Sequence, residues 1–232
     1  MRAMILAAGR GERMRPLTDR TPKPLLPVGG RPLIVWHLQR LAAAGVREVV
    51  INHAHLGEQI ETALGDGAAW GLRIRYSPEP AGALETAGGI VQALPLLGDA
   101  PFFVLSGDIY VDCDYRALMD TASLADGATA FLWMVDNPPW HAGGDFALRD
   151  GRLFLDEDAR NDRHDKLTYA NLGVFSPAFF AGLRPGARLP LGPVFKQAIA
   201  AGHVRGARYT GLWDNLGTAE QLHALDTLLR TR

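Results

Sequence analysis

With a single cysteine, Cys113, in 232 residues, the chain has no intramolecular disulfide framework and no multi-cysteine zinc site. The flanking Asp112 and Asp114 are expected to disfavour its thiolate. Long apolar runs are missing as well. None approaches the ~18 residues of a membrane span, and Arg2 leads into a short apolar segment with no signal-peptide core or cleavage site. No membrane partner is expected, and the chain is expected in the cytoplasm. An excess of positive charge is also absent. Lys plus Arg number 24 against 25 for Asp plus Glu, a net charge of −1, which argues against a nucleic-acid partner. What remains is ordinary globular composition, 47% hydrophobic and 21% charged, with no internal repeat or low-complexity segment. The length suits one substantial α/β domain and is short for two.

The most informative stretch is residues 6 to 27, LAAGRGERMRPLTDRTPKPLLP. It follows Arg2 to Leu6, an apolar run that reads as a buried first strand. Gly9 and Gly11 open a loop that carries Arg10, Arg13, Arg15 and Lys23, stiffened by Pro16, Pro22, Pro24 and Pro27. Glycines let backbone N–H groups approach phosphate oxygens, and the cations add charge-assisted hydrogen bonds, so the segment suits a triphosphate. Two common phosphate motifs do not fit. GxGxxG needs a glycine where Met14 stands, and in GxxxxGK[ST] the lysine is not framed by prolines as Lys23 is by Pro22 and Pro24. The competing reading is a basic surface loop.

Strand and helix patterns alternate through the first half. Helix is expected from Arg31-Pro32 to about Ala44, with Leu33, Ile34, Leu38 and Leu41 on one face and Gly45 as the stop. Strand follows at Glu48 to Asn52, helix at Leu56 to Leu64, strand at Leu72 to Tyr76, helix at Thr86 to Leu94 and strand at Pro101 to Ser106. Such alternation predicts an α/β fold with a doubly wound, mostly parallel sheet. The second half has strand-like Ala128 to Val135, a hairpin from Phe146 to Leu155 around Asp150-Gly151, and strand from Leu167 to Phe175. Helix from Leu191 to Ala201, strand near Val204 to Tyr209, and a last helix opened by a Thr218–Gln221 capping box complete it. The whole chain, 1–232, is read as one domain, with about 1–125 on the nucleotide side and about 126–232 as a continuous sugar-binding lobe.

Ligands of open α/β sheets sit beyond the carboxyl ends of the strands. Three polar sites fall there: Arg13 and Lys23 after the first strand, Asn52 and His53 after the second, and Asp108 after the fourth. A carboxylate behind an apolar strand and a glycine suits a hard cation, although Asp after Gly is also common in turns.

The string from Leu6 to Val28 resembles the signature of the sugar-1-phosphate nucleotidylyltransferases, roughly LAAGxGxRxxPLTxxxPKPLLPV, and the rest of the chain is similar in layout. The resemblance implies a Rossmann-like nucleotidyltransferase fold and in-line attack of a sugar-1-phosphate oxygen on the α-phosphorus of a nucleoside triphosphate, expelling pyrophosphate. Such chemistry needs no covalent protein nucleophile, so positioning and charge neutralisation dominate. By resemblance, Asp108 is the Mg²⁺ ligand, Arg13 binds the departing pyrophosphate, and Lys23 holds the attacking and α-phosphates, with Arg10 and Arg15 weaker candidates. Some members append a left-handed β-helix; little chain follows the final predicted helix, and no second activity is expected.

One departure bears on the metal. The family often shows W-x-D-x-G-T near its C-terminus, whose aspartate supplies a second metal ligand. Here the run is Trp213-Asp214-Asn215-Leu216-Gly217-Thr218, so Asn215 takes that place, a ligand without charge. Asp214, one residue away on a strand, is expected to face the other side. For the nucleotide, Glu85-Thr86-Ala87-Gly88-Gly89 resembles the family's ETGGG-type segment. Glu85, Thr86 and Gly88 are expected near the base, Ala7, Ala8 and Gly9 along ribose and base, and Gly11 in the phosphate loop; a helix start with packing glycines is the competing reading. The sugar side is expected to use Gly144, Asp145 and Asn171, with Glu157 weaker.

Other prominent residues are read as structural: His53 and His55, too few for zinc; the charged run Asp156 to Lys166, a solvated loop; and the five tryptophans, core or rim packing. Chain length and the segments INHAHLGEQIE from Ile51 and VDNPPWHAGGDFAL from Val135 carry a similarity that implies UTP and N-acetylmuramate-1-phosphate as substrates, in cell-wall recycling. Alternatives are mannose-1-phosphate with GTP, glucose-1-phosphate with UTP or dTTP, and a non-catalytic nucleotide-sugar sensor on the same fold. A monomer or small homo-oligomer is expected.

Overall fold

Apolar residues alternate sides along the strands, so the sheet is buried on both faces and helices must cover each. The computed structural model describes residues 1–155 and 166–231. Strand β1 (Arg2–Leu6) leads through 3-10 turns at Glu12–Met14, Leu17–Asp19 and Lys23–Leu25 to a small hairpin, β2 (Pro27–Val28) and β3 (Arg31–Pro32), and then α1 (Leu33–Ala43). Next come β4 (Glu48–His53), α2 (Gly57–Leu64), β5 (Arg73–Pro78), α3 (Glu85–Leu97), β6 (Phe102–Ser106), β7 (Ile109–Val111) and α4 (Tyr115–Thr121). The second half contributes β8 (Ala130–Val135), β9 (Phe146–Arg149), β10 (Arg152–Phe154), β11 (Lys166–Phe175), α5 (Leu191–Ala200), β12 (Val204–Arg208), β13 (Trp213–Asn215) and α6 (Ala219–Arg230).

One nine-stranded sheet, ordered β5-β4-β1-β6-β11-β8-β12-β10-β9, runs through both halves. The expected doubly wound α/β architecture is present. Its parallel run is β5-β4-β1-β6; beyond it β11 enters antiparallel to both β6 and β8, and only β8–β12 is parallel, so the sheet as a whole is mixed. On one face Ala3, Ile5, Val49, Ile51, Phe103 and Leu105 pack against Ile34, Leu38, Leu41, Ile60 and Tyr115 of α1, α2 and α4. On the other, Met4, Val50, Phe102 and Val104 meet Ile90, Leu97, Phe195 and Ile199 of α3 and α5. Leu33 departs from the α1 face expected for it: it joins a third cluster with Val28, Tyr110, Leu216 and Leu225 under α6.

Five elements were not predicted by periodicity: β2, β3, β7, α4 and β13; Arg31-Pro32, expected to open the helix, forms β3 instead, and α1 begins at Leu33. β7 and β13 are three residues each, too short to show a period, and pair antiparallel with Asn215 opposite Ile109. α4 starts at Asp114, whose carboxylate accepts from the Arg116 N–H. The Thr218–Gln221 capping box forms as expected. Glu157 and the charged run, Lys166 excepted, lie outside the described residues.

Candidate active site

The carboxyl ends of β1, β4, β5 and β6 and the start of α3 enclose a cavity of about 680 Å³. Ala7, Ala8 and Gly9 form one wall, Glu85 and Thr86 the opposite one, and Lys23 and Asp108 also line it. Gly107 brings Asp108 in. Its N–H donates to the Leu6 carbonyl at 2.8 Å, and a Cβ there would crowd that oxygen at 3.0 Å, so glycine eases the close run of the end of β6 against β1. Lys23 is 9% exposed, held in a proline-framed turn, and its Nζ donates to Asp108 Oδ2 at 2.6 Å. The cation and the carboxylate expected to meet phosphate and metal thus neutralise each other across the cavity.

The walls are tied together below. Asn52 accepts from the Ala7 N–H and donates to Glu79, which accepts from the Leu84 N–H. The segment between holds Gly82, Ala83 and Glu85 at positive φ, and Arg188 donates to Glu85 Oε1 at 2.8 Å. At the phosphate loop Arg10 is spent on the Thr18 carbonyl and Asp19, and Arg15 pairs with Asp19 and Glu12. Arg13 has no hydrogen bond or ion pair among the described residues, and its guanidinium lies against Gly217, in the turn after β13.

Beyond β13 lie the candidate residues of the second half. Trp213 Nε1 donates to the Ala170 carbonyl at 2.9 Å, next to Asn171. Trp140, 51% exposed, lies 6.3 Å from Trp213 between ring centroids and stacks on His141 at 6.1 Å. His141 Nε2 meets Asp145 Oδ1 at 3.0 Å, and Asp145 Oδ2 accepts from the Tyr169 N–H at 2.8 Å.

A family model described as nucleotidyl transferase matches residues 2–142. The chain belongs to that family. N-acetylmuramate alpha-1-phosphate uridylyltransferase of Neisseria meningitidis serogroup B is 53% identical over 98% of both chains. The protein of the same name from Caulobacter vibrioides is 35% identical over 98% of this chain and 96% of its own. A Bacillus anthracis protein described as a glucose-1-phosphate thymidylyltransferase, crystallised with sucrose, superimposes with a TM-score of 0.85 at 21% identity, covering 100% of this chain and 96% of the other, and so shares the fold. Among the described residues no helix is long and apolar enough to cross a membrane.

In this nucleotidyltransferase Ala7, Ala8, Gly9, Lys23, Glu85, Thr86 and Asp108 all line the same cavity. Gly11 and Gly88 do not. Gly11, at φ 70, lets Thr18 pack 2.9 Å from where a Cβ would be, shaping the loop. Gly88 packs α3 on the 187–189 segment, where a Cβ would overlap the Ala187 carbonyl, and its N–H donates to Leu189. Gly144 abuts Asn137, and Asn171 sits at φ 57 in an irregular stretch of β11, a conformation that asparagine tolerates; its amide has no partner among the described residues. His53 meets Glu61 and Tyr76, and His55 meets the Thr18 carbonyl, so both carry structure, His55 while also lining the cavity.

For a metal, no group of three His, Cys, Asp or Glu exists among the described residues. Asp108 and Asn215 remain. Asn215 Oδ1 is buried without a hydrogen-bond partner among the described residues, an unusual state for an amide oxygen, and the Leu216 N–H beside it donates to the Asp108 carbonyl at 2.9 Å. Oxygen-only donors in small number fit a Mg²⁺ ion that takes the rest of its shell from phosphate and water. Asp214 faces away: its ladder partner Tyr110 belongs to the cluster under α6, and burial raises its pKa. Sequence reasoning missed Glu79, whose position three residues after the expected strand was its only signal, and His37. His37 is fully buried, its Nε2 meeting the Ile109 carbonyl at 2.9 Å and its Nδ1 the Tyr115 hydroxyl at 2.7 Å. Burial, then the Arg40 charge, pushes its pKa down to about 3. Cys113 is pushed up to about 11, chiefly by burial, with Asp112 and Asp114 as smaller causes.

Proposed function

We propose that the chain transfers a uridylyl group from UTP to N-acetylmuramate α-1-phosphate, releasing pyrophosphate and UDP-N-acetylmuramate. The observation that carries the reading is the Lys23–Asp108 pair in a cavity walled by the phosphate loop and the start of α3. The choice of substrates leans on the relative of that name, which is 53% identical along 98% of both chains.

The chain's own residues divide the work by charge. Lys23, released from Asp108, holds the attacking phosphate and the α-phosphate at one point, which removes much of the entropy of bringing two anions together. Arg13, unpaired among the described residues, is free to take the pyrophosphate as negative charge builds on it. Ala8 and Gly9 leave backbone N–H groups, and with Ala7 open space, beside ribose and base; a Cβ on Gly9 would meet nothing within 4 Å. Asp108 and Asn215 would hold Mg²⁺. When bound, that ion neutralises phosphate charge that side chains alone leave unscreened. On the sugar side Trp140 and Trp213 offer apolar faces to the lactyl and acetamido methyl groups, and Asn171 offers an unpaired amide. The reaction belongs in the cytoplasm, where UTP is made, within recycling of cell-wall sugars.

Pyrophosphate release with Mg²⁺, crossing UTP, GTP, CTP and dTTP with N-acetylmuramate-1-phosphate, glucose-1-phosphate and mannose-1-phosphate, tests this. Dominant turnover with UTP and the muramate substrate is expected. Preference for another pair rejects the substrates and keeps the chemistry; no turnover with any pair rejects both.

A further inference from the structure

A continuous chain of hydrogen bonds joins the two walls of the cavity. The Ala7 N–H donates to Asn52 Oδ1 at 2.9 Å, Asn52 Nδ2 donates to Glu79 Oε1 at 2.6 Å, and the Leu84 N–H donates to Glu79 Oε2 at 2.7 Å. Ala7 belongs to the loop after β1. Leu84 lies between Ala83 and Glu85, both held at positive φ where a side chain is strained. Helix α3 bears down on the middle of this chain: a Cβ on Gly89 would sit 2.7 Å from Asn52 Nδ2 and closer still to Glu79 Oε1.

The chain begins and ends in a backbone donor. Two side chains placed between two donors can satisfy both only if one of them purely accepts. With an amide at each position, every orientation leaves one NH₂ facing an N–H. Glu79 is that acceptor, while Asn52, 2% exposed, relays between it and Ala7. A carboxylate bonded to the Leu84 N–H also holds Ala83 and Glu85 in conformations they would otherwise leave.

We propose that Glu79 is a positioning residue for the nucleotide: through Asn52 it sets Ala7, through Leu84 it sets Glu85 and Thr86, and so fixes the width of the slot between the walls. This rests on reading the cavity as the nucleotide site. Glu79 acts through these backbone groups, so its loss weakens nucleotide binding more than the chemical step.

Glu79→Gln keeps the shape and removes the pure acceptor. Amide hydrogen exchange at Ala7 and Leu84 is expected to accelerate, and KM for UTP to rise about tenfold, the scale of one lost charge-assisted hydrogen bond, with kcat falling far less. Asn52→Asp alone sets two carboxylates face to face and is expected to be worse. Combining Asn52→Asp with Glu79→Gln moves the acceptor to the other position and restores the polarity of the chain. Exchange protection and KM should then recover towards those of the unaltered protein, a rescue that general destabilisation does not give. Unchanged exchange and KM in Glu79→Gln, or a double variant no better than the singles, overturns the proposal. Failure of the nucleotide reading looks different: the unaltered protein shows no UTP-dependent turnover, while the exchange arm still reports on the hydrogen-bond chain.

Discussion

On the nucleotide side of the cleft the strands are parallel, and each ends in a loop that delivers one or two functional groups: Ala7 and Lys23 after β1, Asn52 at β4, Glu79 after β5, Asp108 after β6. On the sugar side β11 runs the other way beside β6 and β8, and its polar neighbours come from the middle of a strand and from a turn. There Asp145 is occupied by His141 and the Tyr169 N–H, and Asn137 by Thr168 and the Lys166 carbonyl. The parallel half concentrates charge at one point, in the Lys23–Asp108 pair. The crossed half spends most of its polar groups on holding a surface in shape, leaving aromatic faces and the Asn171 amide to contact a ligand. Under the proposed function, phosphate recognition and sugar recognition fall to two kinds of backbone.

If that division holds, damage to each half has its own kinetic signature. The largest effect is expected from Asp108→Ala, which strips the cavity of its carboxylate and leaves Lys23, 9% exposed, without its partner. Turnover should fall by on the order of 10²–10³-fold, as when one preorganised electrostatic group is removed. A steady-state assay showing full turnover in this variant would remove Asp108 from the mechanism.

His37 probes the packing beneath β7. Its folded pKa of about 3 lies below the 6.5 of an ordinary histidine. Between those values the unfolded chain binds a proton that the folded chain refuses, so this contribution to stability is complete above pH 6.5 and is lost as pH falls towards 3. The slope is at most about 1.4 kcal/mol per pH unit. Urea midpoints measured from pH 7 to pH 4 should fall less steeply in His37→Gln than in the unaltered chain, although the variant starts lower; equal slopes would exclude His37 as the source.

Trp140→Ala sharpens the comparison from the sugar side. Trp140 is half exposed, so its loss should leave the unfolding temperature nearly unchanged. KM for the sugar phosphate should rise about three- to tenfold, the range of one aromatic contact, and KM for UTP should stay put. A change confined to UTP would reverse the assignment of the two halves.

Asn215→Asp is expected to have the smallest effect, and in the favourable direction. A charged oxygen in place of the orphaned Asn215 Oδ1 should lower the Mg²⁺ concentration for half-maximal turnover severalfold and make unfolding temperature depend more strongly on Mg²⁺. No shift in either would separate Asn215 from the metal.

The same division governs what could be read from the sequence. Loop-after-strand chemistry leaves a linear record, so Ala7, Ala8, Gly9, Lys23 and Asp108 stood out as a glycine-opened cationic loop and a carboxylate behind an apolar run. Gly88 shows the limit of that record: the segment pointed to the nucleotide, but the residue's missing side chain serves the contact with Ala187. Glu79 and His37 matter through partners 27 and 72 positions away, Asn52 and Ile109, and no local pattern encodes such pairs. The antiparallel entry of β11 was hidden because a strand's apolar pattern reads the same in either direction.

Phosphorus NMR of the unaltered protein with UTP and N-acetylmuramate α-1-phosphate, recorded before and after adding Mg²⁺, tests the central claim most directly. The account predicts no change before the metal; after it, the triphosphate and sugar-phosphate signals decline together as diphosphate-ester and pyrophosphate signals grow in equal amounts. Spectra that stay unchanged after Mg²⁺, or products that form equally well without it, would contradict the account.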